Sequence, residues 1–136
     1  MYTSETKIRV RYAETDQMGI VYHGNFFPYF EVGRVESIRQ LGFAYADMEK
    51  MGVVMPVVDV HVRYLRPALY DDLLTIKTSL KELPLHHKIE FHQEVFNEQQ
   101  ELLVSSRVIL YFMEMKTKKR HTMPGILLEK LKPYFN

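Results

Sequence analysis

Residues 12–42, YAETDQMGIVYHGNFFPYFEVGRVESIRQLG, decide how the rest of the chain is read. A strand ends near Tyr12, and a loop holding Thr15, Asp16 and Gly19 follows. Tyr22, His23, Gly24 and Asn25 then lead into one long helix. Asn25 is the expected N-cap, because its side-chain oxygen can accept from the free N–H groups of the first turn. Pro28 falls at the third helical position, where a missing N–H costs little. Gly42 is placed to end the helix in a left-handed conformation. An acid, a histidine and a bare helix N-terminus therefore converge, and the chemistry is expected here.

Outward from this stretch, the composition sets limits. A chain of 136 residues is expected to form one domain, spanning 1–136, with a real core. Its formal net charge of +1 gives no support to a general nucleic-acid binder. The absence of cysteine excludes disulfides, zinc–thiolate sites and a cysteine nucleophile. The opening residues, MYTSETKIRVRY, lack the apolar run of a signal peptide, and no later run could span a bilayer. A soluble cytoplasmic protein is expected.

Lys7 to Tyr12 alternates, with Ile8, Val10 and Tyr12 on one side, and reads as a half-buried strand. At 100° steps the helix places Phe27, Phe30, Val35, Ile38 and Leu41 in one apolar arc. Glu31 and Arg34 fall inside that arc, three residues apart, and read as a structural ion pair. The other reading lets Glu31 face a substrate. Phe43 to Gly52 forms a second short helix or an irregular connection. Four more strands are expected over Val57 to Arg66, Leu73 to Leu83, His87 to Asn97 and Leu102 to Met115, and a short helix within Met123 to Phe135. Asn97 to Gln100 makes a hairpin turn. Leu102 to Met115 is apolar on both faces in its middle, so it is central or runs through a subunit contact. The order, one strand, a long helix, then four strands, defines an α+β fold. A helix of about 16 residues, roughly 24 Å, is long enough to cover the apolar face of one antiparallel sheet.

The motif YAETDQMGIVYHGNFFPYFEVGRVE resembles the signature of hotdog-fold acyl-CoA thioesterases of the 4-hydroxybenzoyl-CoA thioesterase-like family. VHVRYLRPALYDDLL is similar to that group's strand and turn after the helix, and FHQEVFNEQQELLVSS to its final hairpin. The resemblance extends from Ile8 to Met113. It implies a long central helix wrapped by a five-stranded, mainly antiparallel sheet. It also implies edge-to-edge pairing into dimers, or dimers of dimers, with active sites at the interface. Residue by residue, Asp16 matches the catalytic carboxylate, as nucleophile or as general base on water. His23 matches a position whose backbone N–H is aimed at the thioester carbonyl, with its side chain also given a catalytic role in one subgroup. Tyr12 matches a tyrosine that supports this pair. Gly24 departs from the alanine, proline or larger residue common there. Lys88, with His86 and His87, lies where related proteins place basic groups near the phosphates of coenzyme A.

The chemistry is adequate by itself. Thioester hydrolysis needs an attacking oxygen, stabilisation of an oxyanion, and a thiolate that leaves with little help. Asp16 can supply or activate the oxygen. Helix N–H groups can stabilise the developing charge. Taken alone, Asp16 reads first as a loop acid in an Asx-turn, His23 as a structural histidine, and Tyr12 as a core residue at a strand end. No cofactor is expected, and the histidines lack the spacing of a zinc site. The run Lys116 to His121 reads as a solvated basic turn, with a contact to an acyl carrier protein as the functional alternative. Phe26, Phe27, Phe30 and Met55 are expected to shape the acyl pocket. The leading reading is acyl-CoA hydrolysis. The alternatives are hydrolysis from an acyl carrier protein and a non-catalytic acyl-CoA binder.

Overall fold

The computed structural model describes residues 1–136. Five strands form one sheet in the order β1 (Tyr2–Arg9), β4 (Leu73–Leu80), β5 (Lys88–Phe96), β6 (Leu102–Tyr111), β3 (Val57–Tyr64). Every neighbouring pair is antiparallel. A small ribbon pairs β2 (Val53–Val54) with β7 (Met113–Glu114). The helix α1 (Phe26–Arg39) lies across one face of the sheet. Two short helices, α2 (Tyr45–Lys50) and α3 (Gly125–Leu131), complete the chain.

The alternation read in the sequence sets which face is buried. Leu74, Ile76 and Leu80 of β4 point inward, as do Ile89, Phe91 and Val95 of β5. β6 is an interior strand between β5 and β3, which explains its apolar middle. β1 begins five residues earlier than its apolar pattern, at Tyr2, and ends at Arg9. Its inward row opens with Tyr2 and Ser4, both buried, so polar residues conceal the period. Tyr12 is not a core residue. It lies in a short 3-10 turn beyond the strand and is 76% exposed.

A polar row crosses the inner face. Ser4 pairs with Thr78, Thr78 with Gln93, and Gln93 with Ser106, all four buried. The row divides two apolar clusters, one around Phe91, Ile38 and Phe112, the other around Phe30, Ile76 and Val95. Gln93 satisfies its amide by donating to the Phe30 carbonyl (2.9 Å) and to Thr78 Oγ1 (3.0 Å). The helix crosses this row at Gly33. A Cβ there would stand 2.7 Å from both Gln93 Nε2 and Ile76 Cγ2. Glycine therefore sets how closely helix and sheet approach.

The face of α1 turned to the sheet holds Phe26, Tyr29, Phe30, Gly33, Arg34, Ser37 and Ile38. Phe27, assigned to the core arc from sequence, is exposed. The Glu31–Arg34 ion pair also fails. The spacing itself permits pairing, as Glu36 and Arg39 show at 3.1 Å in the same helix, but here one partner is buried and the other exposed. Arg34 turns inward and donates to Gln93 Oε1 (3.2 Å), while Glu31 stays in solvent. Burial lowers the Arg34 pKa, with Tyr45 and Glu31 opposing. At the other end Gly42 has φ +85°, the expected left-handed residue after the helix.

Candidate active site

The loop between β1 and α1 folds as a narrow hairpin. Thr15 bridges Val21, and the Asp16 N–H donates to the Ile20 carbonyl (2.8 Å). Gly19 turns the chain with φ +78° and donates to the Asp16 carbonyl (3.0 Å). A residue with a side chain is strained in that conformation. The hairpin docks on the segment before β4, through an Ile20–Leu69 bridge and the Val21 N–H on the Ala68 carbonyl (2.8 Å). Asp16 thus sits at a fixed corner, half-buried. Its Oδ1 accepts the N–H of Met18 at 2.8 Å, an Asx-turn, and Oδ2 makes no hydrogen bond. The turn-forming and the chemical readings of Asp16 are therefore compatible, because the Asx-turn occupies one oxygen and leaves the other open.

Helical backbone starts sooner than the sequence suggested. His23 to Asn25 form a 3-10 turn that runs directly into α1. Asn25 itself is helical (φ −77°, ψ −7°) and does not cap with its side chain. Its Nδ2 instead donates to the Glu14 carbonyl at 2.8 Å. Tyr22, extended at φ −60° and ψ 134°, takes the cap position without a side-chain bond. The Asn25 N–H is satisfied by the Tyr22 carbonyl (2.9 Å), whereas the N–H groups of His23 and Gly24 have no partner in the chain. These are the free donors of the helix start. At Gly24 a Cβ would meet the Tyr22 ring at 3.0 Å, so the departure from the family pattern fits the aromatic ring beside it.

Asp16 and His23 line one open groove of about 370 Å³, with Val21, Phe26, Tyr64 and Leu65 among its apolar walls. Tyr64, at the end of β3, donates to the His23 carbonyl (3.1 Å) and sets its ring edge-on to those of His23 and Phe26. Burial raises the Tyr64 pKa, which keeps the hydroxyl a donor. Arg66 on the rim is paired with Glu101 at 2.7 Å.

The remaining candidates lie apart. The ring of Tyr12 packs edge-on against Tyr70 (5.6 Å), and its hydroxyl bonds neither Asp16 nor His23. Its carbonyl accepts both the N–H and the Oγ1 hydroxyl of Thr15 (3.1 and 2.7 Å). Lys88 is exposed on a second groove, about 410 Å³, at the β4–β5 hairpin beside Lys81 and His86, and Asp16 does not line it. Phe26 and Phe30 are buried and Met55 packs on the larger core cluster, so the four pocket candidates do not enclose one cavity within a single chain. Lys116 to Lys119 form an exposed turn with Lys118 at φ +61°. Sequence reasoning missed Glu14 and Tyr29, joined by the Tyr29 hydroxyl on Glu14 Oε1 at 2.8 Å. The arc read from Phe27 leaves Tyr29 out; only on the face the sheet takes does its hydroxyl need a partner.

A helix wrapped by a five-stranded antiparallel sheet, with an acid-bearing loop against the start of that helix, is the hotdog fold. It superposes on a DHNA-CoA thioesterase from Staphylococcus aureus with a TM-score of 0.85 and 38% identity, covering 99% of this chain and 85% of that one. The chain belongs to the thioesterase-like superfamily, whose profile matches residues 10–131. It is 36% identical over 124 residues to a putative esterase of Aquifex aeolicus, 91% of this chain and 94% of that protein. It is 50% identical over 82 residues to a putative acyl-CoA thioesterase, YneP, of Bacillus subtilis, a match that spans 60% of this chain and 59% of the relative.

Proposed function

We infer that the protein is an acyl-CoA thioesterase, acting as one hotdog domain over residues 1–136 and hydrolysing the thioester to free acid and coenzyme A. The observation that carries this reading is the shared groove. An aspartate with one free oxygen lines it together with His23, at a helix start that has two unpartnered N–H groups. Membership of the superfamily and the likeness to YneP and the DHNA-CoA thioesterase support it.

Asp16 supplies the oxygen chemistry in one of two ways. As general base it takes a proton from water, whose oxygen then bonds to the carbonyl carbon. As nucleophile its own oxygen bonds there first, and water hydrolyses the resulting anhydride. Either way the carbonyl oxygen gains charge, and the N–H groups of His23 and Gly24 stabilise it. The C–S bond then breaks and the electron pair leaves on sulfur, where a thiolate needs no strong acid. The His23 side chain is assigned to the same site, and Tyr12 a supporting part through its hold on Thr15. Lys88 is assigned to the coenzyme A phosphates, beside Lys81 and His86.

The working form is a homodimer, or a homotetramer built from it, in the cytoplasm. β3 is an edge strand with Val58, Val60 and Tyr64 exposed at 46%, 36% and 45%. Such an edge invites pairing, and Tyr64 and Leu65 continue it into the groove wall. No helix is long and apolar enough to cross a membrane. The test is thiol release from a panel of acyl-CoAs of varied length and ring content, DHNA-CoA included, beside matched acyl-carrier-protein thioesters. Selective release from CoA esters is expected. Release from carrier-linked thioesters alone would assign the protein to offloading from a carrier, and no release would leave a binding role.

A further inference from the structure

Glu14, two residues before Asp16, is bonded on every side. Its Oε1 accepts the Tyr29 hydroxyl and the Arg11 N–H, each at 2.8 Å. Its Oε2 accepts the Arg11 guanidinium through Nη2 (2.8 Å) and Nε (3.2 Å). Its carbonyl accepts the Tyr22 N–H (3.0 Å) and Asn25 Nδ2 (2.8 Å). These partners belong to three different pieces of chain. Arg11 ends the incoming segment, Tyr22 and Asn25 flank His23, and Tyr29 is one turn into α1, 2% exposed.

The charge is well held. Burial works against the Glu14 carboxylate, but hydrogen bonds from Arg11 and Tyr29 outweigh it and leave its pKa below the ordinary value. Burial first, and then Glu14 itself, raise the Tyr29 hydroxyl. At neutral pH the pair therefore stays hydroxyl donor and carboxylate acceptor. The carboxylate is partly buried, and its hydrogen bonds, with those of the Glu14 carbonyl, tie the Asp16 loop to the residues on both sides of His23 and to the first turn of the helix.

We propose that Glu14 is a positioning residue for thioester hydrolysis: through Tyr29 and Asn25 it fixes Asp16 relative to the free N–H groups of His23 and Gly24. The inference rests on the reading of Asp16 as the reacting carboxylate. Distances between an attacking group and its oxyanion donors must hold to a fraction of an ångström, and a displacement of about 1 Å can cost on the order of a hundredfold in rate.

Tyr29→Phe deletes one hydroxyl and leaves the ring packed against Phe26, and Glu14→Gln keeps the shape but removes the charge. Each is measured for kcat and KM with an acyl-CoA the parent hydrolyses, per folded protein, beside Asp16→Asn. The expected result is a kcat lower by about tenfold or more in each, with KM within about twofold of the parent. The double variant should lose no more than the worse single one, because both break the same link. A parental kcat in both variants, or a change confined to KM or melting temperature, overturns the proposal while Asp16→Asn remains inactive. An active Asp16→Asn removes the underlying reading instead, and the positioning role with it.

Discussion

Replacing Gly33 by alanine tests the account of how the helix meets the sheet. On propensity alone the change should stabilise the protein by about 1 kcal/mol, because alanine is the better helix former. The new Cβ, however, would lie 2.7 Å from Gln93 Nε2, 2.7 Å from Ile76 Cγ2 and 2.9 Å from Thr78 Oγ1. All three neighbours are buried in the middle of the sheet, so none can swing into solvent. Overpacking of this kind costs about 1–3 kcal/mol. Moving the Gln93 amide also strains its bonds to Phe30 and Thr78, and a buried polar group left unpaired costs about 1–3 kcal/mol more. The net expectation is a loss of about 1–5 kcal/mol, or on the order of 3 °C or more in melting temperature. Urea and thermal melts at one fixed protein concentration measure it. A variant as stable as the parent, or more so, would refute the close-approach argument, because propensity would then have won.

Three further outcomes are expected. Lys88→Ala should raise KM for acyl-CoAs several-fold and leave kcat nearly unchanged, and it should not affect a short thioester lacking the nucleotide; steady-state thiol release compares the two. Gly42→Ala, at φ +85°, should cost about 1 kcal/mol by denaturant melts. Glu14 has a folded-state pKa below its ordinary value of 4.5, so its contribution is present above that value and is lost as pH falls through it toward the folded one. The stability gap between parent and Glu14→Gln should therefore shrink as pH drops below about 4.5 and stay constant above about 6.

The architecture was legible because its signals are periodic. Leu74, Ile76 and Leu80, or Ile89, Phe91 and Val95, repeat every second residue and can satisfy only one face of a sheet. Gly42 announced the helix end for a local steric reason. What escaped depended on contacts distant in sequence. Gln93 falls in the inward row with Ile89, Phe91 and Val95, but a buried amide there is explained only by Thr78 and the Phe30 carbonyl, which receive it. Ser4 hides the start of β1 for the same reason. The helix arc was read from Phe27, but the sheet takes Phe26 and Tyr29, and that rotation leaves Glu31 in solvent while Arg34 faces inward. In the site, the family resemblance pointed to Asp16 and His23, and the two line one groove. Glu14 was not legible, because nothing local shows that its side chain meets Tyr29 while its carbonyl meets Asn25. Lys88 and Asp16 line separate grooves within one chain.

The central claim is that Asp16 carries the reaction. Asp16→Asn preserves the side chain's shape and its Oδ1 acceptor for the Met18 N–H, so the loop should fold as before. Single-turnover thiol release from the best acyl-CoA, with melting temperature and oligomeric state checked alongside, is the direct measurement. The account predicts a rate lower by about a thousandfold or more in a protein that melts and assembles like the parent. Near-parental release from that variant would contradict it.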